Sequence, residues 1–175
     1  IVNYTNIFPK DICNKNSLLN LSSVIHEIYS YCSTDEVKEF WDNVFLSGFD
    51  YVSIRDMCIS ENVYRLTNIT DYWKLINAAD KNQIRDFEHN WGSLMRNNNF
   101  LHFLMKYKYI ENWDREVKEN YFPITLEELL KKIPSDYEIA YIETYCLPYL
   151  KSIVEKDFGI NINDNTHVKL LLKRK

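Results

Sequence analysis

Residues 50–56 read DYVSIRD and residues 62–68 read NVYRLTN. Apolar and polar side chains alternate in both, as they do in two short strands, yet the same residues suit a helix followed by a loop. Most of the surrounding chain favours helix. This stretch therefore decides between an all-helical protein and one that carries a sheet.

Upstream, Leu18, Leu21, Val24, Ile25, Ile28, Tyr29 and Cys32 fall on one helical stripe. STDE at 33–36 has the form of a capping box, in which a serine hydroxyl accepts from the glutamate amide and the glutamate carboxylate reaches back. It predicts a helix with Val37, Phe40, Trp41, Val44 and Phe45 on its apolar face, stopped near Gly48. Downstream, Thr70 and Asp71 can cap a helix carrying Tyr72, Trp73, Ile76 and Ala79, and Ile84, Phe87, Trp91, Leu94 and Met95 repeat the helical spacing. TLEE at 125–128 and SDYE at 135–138 read as two further capping boxes. The helix after the last must bend or restart near Pro148, and Gly159 ends it. The predicted fold is mainly α: a single compact domain over 1–175 with six to seven helices and at most one short β-hairpin or strand pair. Residues 1–14 are expected to be irregular and 160–175 an irregular or frayed basic tail, although HVKLLLKRK at 167–175 also fits a strand.

With 175 residues, 46% of them apolar and 26% charged, the composition is that of a folded chain with a sizeable core. Aromatic residues at 15% make that core bulky. Nineteen asparagines beside three glycines and four prolines point to an A/T-rich genome: a large DNA virus, a low-GC bacterium or its phage, or a protist. The net charge of −4, without a basic stripe, argues against a protein that grips a phosphate backbone. No apolar run approaches the roughly 18 residues of a membrane span. Cys13, Cys32, Cys58 and Cys146 are widely spaced, which favours reduced thiols and a soluble intracellular protein. Gly48, Gly92 and Gly159 are too far apart to build phosphate-binding loops or a nucleophile elbow. His26, His89, His102 and His167 lack metal-ligand spacing, so no metal or cofactor is expected.

Two local motifs carry functional hypotheses. RNNNFLH at 96–102 resembles the motif of HEPN ribonucleases: an arginine, a polar-led spacer, then a histidine on a helical scaffold. That resemblance implies metal-independent RNA cleavage, with Arg96 stabilising the scissile phosphate and His102 transferring a proton. Asn90-Trp91-Gly92 is similar to the start of the Asn-Trp-Gly-Arg motif of the helical apoptosis regulators, whose apolar groove receives a partner's amphipathic helix; here Ser93 replaces the arginine. Without a complete catalytic constellation, the preferred expectation is a non-catalytic helical module that binds another protein. Trp91, Gly92, Phe100, Phe103 and Tyr107 are its expected contact residues, since interface hot spots favour aromatics. An acidic inhibitor seated on a basic target is a third possibility. The RNase built on Arg96 and His102 is the alternative, and only it would engage nucleic acid.

Overall fold

The computed structural model describes residues 16–175. The expectation for residues 1–14, and Cys13, lie outside the described residues. Within them, eight α-helices and four strands follow one another: β1 (Leu18–Ser22), α1 (Ile25–Tyr31), α2 (Thr34–Leu46), β2 (Tyr51–Met57), α3 (Ile69–Ala78), α4 (Lys81–Trp91), α5 (Asn97–Lys106), α6 (Trp113–Glu116), α7 (Leu126–Lys131), β3 (Tyr137–Tyr145), α8 (Pro148–Phe158) and β4 (His167–Arg174). The strands form one mixed sheet in the order β1-β2-β4-β3. β1 runs parallel to β2, while β4 is antiparallel to both β2 and β3.

The expected all-α helical bundle is therefore corrected to an α/β architecture. DYVSIRD is a strand, and NVYRLTN is a 3-10 turn and loop that leads into α3. Three segments expected as helix or irregular tail are also strands. The stripe from Leu18 to Cys32 is not one helix: it breaks at Ser23, which sits at a φ of 55°. The Ser23 amide still donates to the Arg55 carbonyl of β2 at 2.8 Å, after which the chain turns into α1. SDYE at 135–138 opens β3 instead of a helix. The expected frayed tail is β4, in the interior of the sheet, with Val168, Leu170 and Leu172 buried. In each case, pairing with residues far along the chain overrides the local preference.

Register fixes the faces of the sheet. Val52, Ile54 and Asp56 stand opposite Leu172, Leu170 and Val168. That face packs with α1, α2 and α7 around Ile25, Ile28, Phe40, Trp41, Val44 and Leu129. A second cluster gathers α3, α4, α5 and α8 around Leu75, Phe87, Phe100, Phe103, Leu104 and Val154. Adjacent Cys58 and Ile59 belong to one cluster each, so the chain leaving β2 runs directly from one to the other.

Local signals work where the partners are close in sequence. Both boxes at Ser33/Glu36 and Thr125/Glu128 are formed in full. α3 is capped by Asn68, two residues before the expected Thr70 and three before Asp71. α8 starts at Pro148, where the missing amide costs nothing, and ends on left-handed Gly159. No helix among the described residues is long and apolar enough to cross a membrane.

Candidate functional site

The residues singled out in the sequence are not assembled into a surface. Gly92 ends α4 at a φ of 84°, and Asn99 Nδ2 donates back to the carbonyls of Trp91 and Ser93 at 2.8 and 3.2 Å. The asparagine run therefore lies in the first turn of α5, stitching the α4–α5 turn together, rather than forming a break before Phe100. Trp91 is half-buried and its indole donates to the Val117 carbonyl at 2.6 Å. Phe100, Phe103 and Tyr107 are core residues, with the Tyr107 hydroxyl held by Asp157 at 2.8 Å. Of the expected contact set, only Gly92 is exposed.

Arg96 and His102 are not brought to a common cleft. Arg96 is exposed at the start of α5. His102 is 3% exposed, packed edge-on against Phe87 and Trp91 and against the rings of Tyr121 and Phe122. The Tyr121 amide donates to its Nε2 at 3.2 Å. Burial, then the neighbouring Lys106 ammonium, holds the imidazole well below its ordinary pKa. The adjacent Glu119 carbonyl is served by Lys106, whose fully buried Nζ also donates to the Glu116 carbonyl and lies 3.9 Å from the Tyr121 ring centroid. Burial brings this lysine down to about 7, while Glu116 and Glu119 pull in the opposite direction. His102 and Lys106 thus brace the 116–121 loop.

A different group of residues converges where β2 ends and β4 begins. Asp56, 3% exposed, accepts from the amides of Val24 (2.9 Å), Ile25 (2.7 Å) and Met57 (2.8 Å). It thereby caps α1, whose own N-cap residue Val24 has no side-chain acceptor. Its Oδ1 also takes His26 Nδ1 at 2.7 Å. A carboxylate with these amide donors can only accept, so Nδ1 carries the hydrogen. In the neutral ring Nε2 is then left as a lone-pair acceptor. His26 is 6% exposed, and no other described side chain hydrogen-bonds to Nε2.

His26 lines a cleft of about 680 Å³. His167 enters the same cleft from β4; its ring stacks on Tyr145, its Nδ1 lies 2.8 Å from Thr166 Oγ1, and burial followed by the Arg55 charge brings it down to about 4. Several polar groups of the wall are paired with one another. Buried Glu119 takes the Tyr31 hydroxyl and Arg115 Nε, Glu116 takes the Tyr121 hydroxyl, and Asp157 pairs with Lys108. Met57, Leu104, Met105, Leu147 and Ile153 supply the apolar wall. His26, Asp56 and His167 stand at three distant positions in the chain, so no local spacing could reveal them. Alternation in DYVSIRD was the only sequence signal, since it places a carboxylate on a face otherwise made of Val52 and Ile54.

The outer edge of the sheet is the third candidate. β3 is nine residues long and lies at the edge. It exposes Ile139 (46%), Tyr141 (51%) and Ile142 (41%). A register shift between Ile139 and Tyr141 leaves Ala140 without a partner in β4. The two acidic residues of β3 are engaged by the neighbouring strand: Lys169 lies 3.0 Å from Glu143 and Lys173 lies 3.5 Å from Glu138.

Among the described residues, no group of three or more His, Cys, Asp or Glu side chains is placed to hold a metal ion. Comparison of the chain with family models, curated proteins and solved structures finds no match.

Proposed function

We propose that this protein is a protein-binding module that receives an extended segment of its partner along β3. One observation supports this: a nine-residue edge strand carries three apolar side chains that are each close to half exposed. An edge strand offers a row of unpaired backbone donors and acceptors, and proteins normally blunt such edges with charge, proline or bulges. Here there is no proline, and both glutamates have a lysine partner on β4. The register shift at Ala140 is one such irregularity, yet pairing with β4 continues on both sides of it. Strand addition draws affinity from backbone hydrogen bonds and specificity from alternate side chains. The preferred partner segment is extended and apolar on alternate residues, so that it can meet Ile139 and Ile142, which stand opposite Leu172 and Leu170 on one face of the sheet. This relocates the protein-binding reading from Trp91, Phe100, Phe103 and Tyr107, three of which are needed in the core.

The test is a photo-reactive phenylalanine analogue at Ala140, in cells that make the protein. One discrete heterologous adduct is expected. It should be lost in an Ile139→Lys/Ile142→Lys variant whose melting temperature is unchanged, both positions being exposed. An adduct that survives the double substitution, or one that is a second copy of this chain, would overturn the proposal.

A further inference from the structure

We infer that the cleft beside His26 is a binding site for a small neutral molecule with an apolar body and one hydroxyl group, which hydrogen-bonds to His26 Nε2. This site is independent of β3. Its volume of about 680 Å³ is within the range of small-molecule sites. Such sites combine apolar walls with a few polar groups that fix orientation. Arg115 pairs with Glu119 and Lys108 with Asp157, while Arg55 and Glu27 line the cleft without an ion pair among the described residues. The nearest phenol is engaged as well, since the Tyr121 hydroxyl donates to Glu116. His26 Nε2 has no hydrogen-bonding side chain among the described residues, on a side chain that is more than nine-tenths buried and held from behind at Nδ1 by Asp56. A ligand hydroxyl can take the place of water at this atom.

Acidic Glu27, Glu116 and Glu119 and basic Arg55, Lys108 and Arg115 line the cleft together, so its wall favours a neutral ligand over either ion. Met57, Leu104, Met105, Leu147 and Ile153 supply the surface that an aromatic or branched aliphatic body would cover.

The probes are p-cresol and toluene, which share a body and differ by the hydroxyl. Proton–nitrogen correlation spectra of the histidine side chains are recorded on the full chain. p-Cresol should give a saturable shift at His26 Nε2 and bind roughly tenfold more tightly than toluene, the usual net effect of one hydrogen bond. Ile153→Trp, which fills the cleft from half-buried α8 without touching the Asp56–His26 pair, should abolish both effects. Three results would each overturn the proposal: no shift at His26 up to the solubility limit of p-cresol, equal affinity for toluene, or an undiminished shift in the filled variant.

Discussion

Two histidines tie the stability of this protein to mild acid. His167 has its pKa lowered to about 4 and His102 is held well below 6.5, in both cases chiefly by burial. A buried neutral histidine binds its proton more weakly folded than unfolded, so the unfolded chain takes up more protons as the pH falls. The stability these rings contribute is complete above about pH 6.5 and is lost progressively towards pH 4. For His167 the change corresponds to about 3 kcal/mol. Melting temperature should therefore fall steeply from pH 6.5 to 4, and His167→Asn should flatten that fall; an unchanged slope in the variant would show that His167 is not the group responsible. The sequence offered both histidines but hid their environments. His102 looked like half of a catalytic pair because Arg96 is near it in sequence, whereas helix geometry leaves one in solvent and the other among aromatic rings.

The same four-residue signature, serine with glutamate three positions on, occurs at Ser33 and at Ser135 with opposite outcomes. At Ser33 the hydroxyl and carboxylate satisfy the first amides of α2. At Ser135 the chain enters β3, and Glu138 turns to Lys173. Ser33→Ala should cost about 1 kcal/mol in urea unfolding, the usual loss of an N-cap. Ser135→Ala should leave the curve unmoved, and equal losses would mean that the serine's own conformational preference, not the cap, is being measured. Capping signals were legible because all their parts lie within one turn. β1 and β3 were not, since leucines spaced for a helix also alternate, and β4 alone selects the strand for residues 137–145.

At the scale of the whole molecule, the helices α2, α4, α7 and α8 could be read almost directly, while the sheet that organises them could not. Only DYVSIRD hinted at it, and its partners lie before residue 23 and after residue 166. The candidate cleft was illegible for the same reason, because His26, Asp56 and His167 meet only once those strands have paired. This order of strands can be tested directly: a chain ending at residue 166 should be digested rapidly by protease under conditions in which the full chain resists. A resistant truncated chain would show that β4 is dispensable.

The position of β4 has a further consequence during synthesis. β2 is complete at Met57, but the strand it pairs with begins 110 residues later, at His167. At translation rates of about 5–20 residues per second, one edge of β2 waits roughly 5–20 s for its partner. β3 waits less long, but it too has no neighbour in the sheet until β4 arrives. The nascent chain thus emerges with its helical segments able to form and its sheet unable to close, holding apolar strand edges open to ribosome-associated chaperones until the last strand fills the gap.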